Sequence, residues 1–231
     1  MNNTVRCRQL CRRFHQGGQT IHGLNNVDLD IASGEFICLT GPSGSGKTTL
    51  LNAIGGLDKP DSGEITIGDT TLDQLDQAAL ADLRLNHIGF VFQSYNLIPV
   101  LSAQENVEFI LMMQGIDTTE RHLRADAILK EVGLEGLGSR RPSELSGGQQ
   151  QRVAVARAIV SQPTLVLADE PTANLDSQTS KQLMSLFAEL NRRHGTTFVI
   201  ASHDERVQDY AKRLIRMQDG KIIEDRPLGT R

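Results

Sequence analysis

The period of the apolar positions changes along the chain, and the changes mark its elements. Residues 26–31 alternate strictly, with Val27, Leu29 and Ile31 apolar and Asn26, Asp28 and Asp30 polar, which predicts a half-buried antiparallel strand. Residues 35–40 carry instead the unbroken run Phe36-Ile37-Cys38-Leu39, the pattern of a strand covered on both faces. A glycine-rich turn follows, then a helix over 46–57 that the breaker cluster 58–63 ends. Short strands are expected at 64–67 and 87–92. From 104 to 133 the period becomes helical: Val107, Ile110, Leu111 and Gln114 share a face, and Asp117 and Glu120 stand in capping-box relation at the head of a helix closed by Gly133. Residues 149–160 read as another helix and 164–168 as a second buried strand. The remainder alternates: helix 177–193, strand 196–201, a short helix from Asp204, and strands near 214–218 and 221–224 joined at the hairpin turn Asp219-Gly220.

Buried strands alternating with helices predict an α/β fold with a mainly parallel core sheet. Within a single domain over 1–231, the pattern assigns an antiparallel β subdomain to 1–35 and 60–75 and a core to 36–93 and 146–231. The helical stretch 94–145 is too long for a loop and reads as a helical subdomain. Composition changes this picture little: 39% hydrophobic and 23% charged residues exclude collagen-like and disordered readings. A net charge of −4 does not supply the basic surface that duplex nucleic acid requires, so no nucleic-acid partner is expected. The longest apolar stretch, 109–113, is far short of the ~20 residues that span a bilayer, so any membrane role is expected to come through a partner. Cys7, Cys11 and Cys38 form neither a disulfide framework nor a complete zinc set, and read as small core residues in a reducing compartment. Arg6, Arg8, Arg12 and Arg13 crowd the start, which reads as the first folded strand with a solvated face; contact with anionic headgroups is the sharper alternative.

Chemistry enters at Gly41-Pro42-Ser43-Gly44-Ser45-Gly46-Lys47-Thr48, which fits GxxxxGK[ST] straight after a buried strand and at the opening of a helix. Glycines let backbone N–H groups converge on phosphate oxygens, and the helix N-terminus adds a partial positive charge. Lys47 then reaches the β- and γ-phosphates and the Thr48 hydroxyl can ligate Mg²⁺, with Thr49 beside it; the motif predicts nucleoside triphosphate binding. A second signal is Leu165-Val166-Leu167-Ala168-Asp169-Glu170, two acids at the end of a buried strand. Asp169 is placed to hold the metal and Glu170 to polarise the attacking water. Without the phosphate loop, the same acids would read as solvated strand-end residues.

Leu145-Ser146-Gly147-Gly148-Gln149 is the complete signature of the ABC ATPases, and the whole chain resembles that family. The fold it implies is a P-loop NTPase with a RecA-like core. The resemblance implies roles in order along the chain. Gln93 takes the Gln-loop position, contacting Mg²⁺ and the attacking water, Asn174-Leu175-Asp176 the D-loop, and Ser202-His203-Asp204 the His switch. Phe14 stands where the family stacks an aromatic on adenine, although it also reads as a core aromatic. Glu170, His203 and Gln93 are thus the catalytic candidates, and Thr48, Gln93 and Asp169 the Mg²⁺ candidates. No guanine-reading NKxD occurs, so ATP is the expected nucleotide.

The segments 88–93, 96–99, 102–107 and 171–176 are similar to the lipoprotein-releasing and macrolide-export group of ABC ATPases. That implies an ATP-hydrolysing subunit, cytoplasmic and peripheral on the inner face of the inner membrane, that drives a separate permease in export or extraction of lipoprotein, lipid or amphipathic cargo. It also implies a head-to-tail homodimer with two ATP, in which Ser146 and the Gly147 and Gly148 amides face the partner's γ-phosphate. An ATP-gated regulatory protein of the cell-division signalling type is the alternative. The apolar excess of 107–113 reads as subdomain core, or, with the loop 94–101, as a groove for a permease helix.

Overall fold

The computed structural model describes residues 3–16 and 19–229. Its first sheet holds β1 (Asn3–Gln16), β2 (Gln19–Ala32), β4 (Ser62–Ile67) and the two-residue β5 (Thr70–Thr71), in the order β2-β1-β4-β5 and antiparallel throughout. The second holds β3 (Phe36–Thr40), β6 (Ile88–Phe92), β7 (Leu165–Asp169), β8 (Thr197–Ala201), β9 (Arg213–Gln218) and β10 (Lys221–Pro227), in the order β10-β9-β3-β8-β7-β6. Five of its strands run parallel, and only the edge pair β9–β10 is antiparallel. Asp219 and Gly220, both left-handed, close that hairpin as the Asp-Gly pair predicts.

The apolar run of β3 divides between two cores. Phe36 and Cys38 face the larger one, where Phe36 and Phe187 both pack edge-on against Phe198, while Ile37 and Leu39 face the core shared with the antiparallel sheet. Burial on both faces is therefore the physical origin of the unbroken hydrophobic pattern. The register places Phe92, Asp169, Ala201 and Leu39 in one row across the sheet. The residues that follow them thus emerge along a single carboxyl edge, where open α/β sheets bind ligands.

Among the described residues six α-helices complete the fold: α1 (Lys47–Ile54), α2 (Gln77–His87), α3 (Ala103–Met113), α4 (Thr118–Glu131), α5 (Gly147–Ile159) and α6 (Ser177–His194). Helix α1 stops short of residue 57 because Gly55 caps it and Gly56 turns left-handed. Helix α2 lies where the sequence pattern assigns no element. Asp76 caps it by accepting from the Ala79 N–H, but of its side chains only Leu83 is fully buried. Helix α5 begins two residues before the expected 149, because Ser146 and Gln149 form a capping box around the glycine pair. At α4, Asp117 caps the first turn, while Glu120 pairs with Arg124 at 2.6 Å.

Three of the N-terminal arginines are ion-paired: Arg6 and Arg8 with Asp30 of β2, and Arg12 with Asp58 at 2.8 Å and Asp61 at 2.9 Å, just ahead of β4. Cys7 and Cys38 are core residues whose thiols burial pushes up to about 12. Cys11, half-buried, donates to Asn26 Oδ1.

Candidate active site

The loop after β3 cannot turn as it does with side chains at its critical positions. Gly46 has φ +105, and a Cβ there would run into the Gly23 carbonyl; one on Gly41, φ +147, would meet that of Met217. Gly46 then serves as the N-cap of α1 and offers no side-chain cap, so the first-turn amides have no side-chain partner. Lys47, only 7% exposed, curls under the loop and donates to the carbonyls of Gly41 (2.8 Å) and Pro42 (3.1 Å). Ser45 Oγ is buried and has no hydrogen-bond partner. Ser43, Gly44, Ser45, Gly46, Lys47, Thr48 and Thr49 all line one cavity of about 660 Å³.

Three further strand ends bring residues to the same cavity: Gln93 after β6, Glu170 after β7 and His203 after β8. The Thr48 hydroxyl donates to Asp169 Oδ2 at 2.8 Å, and Asp169 Oδ1 is buried without a partner. Burial raises the Asp169 carboxyl above its ordinary range, the Thr48 bond opposes this, and the negative charge of Glu170 adds to it. Glu170 takes a left-handed backbone, φ +47, uncommon for a residue with a side chain. Its carboxylate accepts from the His203 N–H at 3.1 Å and lies 2.9 Å from His203 Nδ1, so acid and histidine form one unit.

Phe14 stands at the cavity rim, 39% exposed, with the Arg12 guanidinium 5.3 Å from its ring centroid. A Cβ on Gly23 would lie 2.5 Å from the ring, so the glycine gives the aromatic its place. Ile21, the register partner of Phe14, and Gly23 line the cavity too, as does Ala173; the sequence reading names none of the three. Only the strand register could have found Ile21.

The D-loop candidates are tied in differently. Asn174 Nδ2 donates to the Gln93 carbonyl at 3.1 Å, and Leu175 packs on the larger core. Asp176 caps α6, accepting from Gln178 N, Thr179 N and Thr179 Oγ1; the Thr179 hydroxyl foremost holds its carboxyl below the usual range.

The signature residues do not line the cavity. Leu145 is buried in the core, whereas Ser146 is exposed and caps α5: its Oγ accepts from Gln149 N at 3.3 Å, and its N–H donates to Gln149 Oε1 at 2.9 Å. Gly147 and Gly148 are the first two residues of the helix, and a Cβ on Gly147 would sit 2.9 Å from the Tyr95 hydroxyl.

A second hollow, an apolar groove of about 670 Å³, runs between α2, β6, α3 and α5. Phe109, Ile110 and Met113 of the apolar-rich segment line it, but the loop 94–101 does not; its other walls include Phe90 and Phe92 of β6, α2, and Arg157 and Ala158 of α5.

Residues 24–173 match the family described as ABC transporter. The chain is 42% identical, over 97% of its length and 95% of the relative's, to the lipoprotein-releasing system ATP-binding protein LolD of Chromohalobacter salexigens. It is 44% identical over 96% of its length to the macrolide export ATP-binding/permease protein MacB 2 of Yersinia pestis bv. Antiqua, of which it spans about a third (33%). Among solved structures it is similar to the dimeric ATP-binding cassette MJ0796 of Methanocaldococcus jannaschii in a post-hydrolysis state bound to ADP and Pi. The TM-score there is 0.90 at 43% identity, covering 97% of this chain and 99% of that one.

Proposed function

The chain belongs to the ABC transporter family, and from that premise we propose that it is the ATPase subunit of a transporter, working as a head-to-tail pair that clasps two ATP molecules. The observation that carries the pairing is the separation of the two glycine-rich helix ends. One opens into the nucleotide cavity; the other lies outside it, with Ser146 exposed and Gly147 and Gly148 half-buried. A second copy brings the missing end to the γ-phosphate, so each site needs both chains.

Within one cavity, the amides of residues 43–48 and the Lys47 ammonium bind the phosphates, and Phe14 stacks on the base. Thr48, Asp169 and Gln93 offer oxygen donors of the hard type that Mg²⁺ prefers, and the partnerless Asp169 Oδ1 fits such an ion. When bound, the ion neutralises charge on the transferring phosphoryl group. Glu170 accepts the proton of the attacking water, and His203, held against that carboxylate, fixes its direction and faces the γ-phosphate. Gln93 orients the water from the β6 side. Closure of the pair follows from contacts that the γ-phosphate makes only in the closed state, and hydrolysis removes them.

Among the described residues no helix is long and apolar enough to cross a membrane. On this reading the partner is a separate permease, the work is export or membrane extraction of lipoprotein, lipid or amphipathic cargo, and the place is the inner face of the membrane; one relative is named for lipoprotein release and another, an ATP-binding/permease protein, for macrolide export. The apolar groove beside β6 suits a short amphipathic helix of that permease.

The test is Glu170→Gln. Turnover is expected to fall by roughly 10²–10⁴-fold while ATP binding persists and light scattering shows an ATP-dependent dimer. Full-rate turnover in that variant, or a chain that stays single with ATP bound, overturns the reading.

A further inference from the structure

The segment that delivers Gln93 has a costly backbone. Tyr95 and Asn96 are consecutive residues with side chains, and both are left-handed, with φ +60 and +49. Left-handed backbone is disfavoured for a residue with a side chain, more for tyrosine than for asparagine, and persists where its surroundings hold it. Here one side chain enforces both: Arg157 Nη2 donates to the Tyr95 carbonyl at 3.0 Å and Nη1 to the Asn96 carbonyl at 2.7 Å. Arg157 stands on α5, the helix that Ser146 opens. Arg157 is half-buried, and burial pulls its pKa below the ordinary guanidinium value. Its two prongs are spent on the two carbonyls, and the geometry they impose there is its contribution.

That geometry has two consequences. On one side the turn follows directly on Gln93, whose carbonyl Asn174 holds. On the other, the Tyr95 hydroxyl lies over Gly147, the first glycine of the signature. We propose that Arg157 is a positioning residue of the ATPase: its two-pronged fork sets the Tyr95–Asn96 turn, and through that turn holds Gln93 in the nucleotide cavity and Tyr95 against Gly147. A lysine ammonium can meet two neighbouring carbonyls, as Lys47 does, but it does so from one nitrogen and lacks the planar fork that fixes their spacing. The same guanidinium lines the apolar groove, so the turn is set at the wall on which a docked helix would press.

The inference rests on the ATPase reading, and its test separates the two. Steady-state turnover, nucleotide affinity and thermal unfolding are measured on the full chain, on R157M, R157K and N96G, and on R157M/N96G. For R157M the expected result is a kcat lowered roughly tenfold or more, with KM and nucleotide affinity within about twofold, because the phosphate loop is untouched. R157K falls between R157M and the unaltered chain. Glycine adopts the left-handed region freely, so N96G in the R157M background recovers at least about threefold in kcat. A role in mere stability would move the melting temperature without that rescue.

R157M turning over within twofold of the unaltered chain, or a kcat that N96G does not move, overturns the inference alone. If R157M does not fold, R157K decides: a kcat down about threefold at unchanged KM supports the proposal, and an unchanged kcat overturns it. An unaltered chain that does not hydrolyse ATP sinks the ATPase reading and this inference with it.

Discussion

Helices α1 and α5 start from the same ingredients, a serine, two glycines and a first turn of free amides, yet they end up as opposite objects. At α1 the N-cap is Gly46, left-handed and without a side chain; Ser45 Oγ nearby has no partner; and the turn faces a cavity. At α5 the N-cap is Ser146, extended, and Ser146 and Gln149 satisfy each other's N–H groups. The first end is left incomplete by its own chain and waits for an anion. The second is a finished helix start, with Ser146 exposed and Gly147 and Gly148 half-buried behind it. The difference teaches how local capping separates two helix starts of similar sequence: one is answered by its own side chains and the other is not.

The comparison breaks most visibly at Gly46. Gly46→Ala puts a methyl group into the Gly23 carbonyl at φ +105, and neither backbone can give way cheaply. Nucleotide affinity is expected to fall on the order of 100-fold in a titration, the loop strain alone accounting for much of it. Gly44→Ala is the control: φ is +77, but nothing lies within 4 Å, so the loss is expected to be several-fold at most. Equal losses in the two variants would mean that the loop's path, rather than the close approach at Gly46, is what matters.

At the other end, Ser146→Ala is expected to separate two quantities. Removing the cap lowers stability by about 1 kcal/mol. Under the proposed pairing, in which the signature end meets the phosphate bound by the other copy, turnover falls about tenfold or more while nucleotide affinity of the single chain stays as it was. A loss of stability with full turnover would make Ser146 a helix cap and nothing else.

Much of this contrast is legible in the sequence, because GxxxxGK[ST] and the signature are backbone motifs whose spacing carries their geometry. Strands β3, β7 and β8 are equally legible: burial on both faces leaves unbroken apolar runs. Helix α2 is not, since one fully buried leucine in eleven residues writes no stripe. The start of α5 is displaced in the pattern because glycines read as breakers until the capping box around them is recognised. What the sequence hides altogether are links between distant residues. The Asn174 bond to Gln93 spans 81 positions, the grip of Arg157 on Tyr95 spans 62, and the placing of Ile21 beside Phe14 depends on strand register. None of these has a local signature, because each exists only once the sheet has brought its ends together.

The smallest effect is also the finest test of the two helix ends, at the third residue of each. In α5 that residue is Gln149, whose Oε1 accepts from the Ser146 N–H at 2.9 Å; in α1 it is Thr49, which lines the cavity and has no capping side chain to answer. Gln149→Ala removes one of two reciprocal bonds and is expected to cost about 0.5 kcal/mol in chemical denaturation, with the single chain's nucleotide affinity unaltered. Thr49→Ala should shift the opposite quantities. Alanine is the better helix former by a few tenths of a kcal/mol, so stability holds or rises slightly, while affinity drops about two- to threefold as the cavity wall recedes. If both substitutions lower stability and neither touches affinity, the two ends are capped alike, and the distinction between an open end and a closed one does not hold.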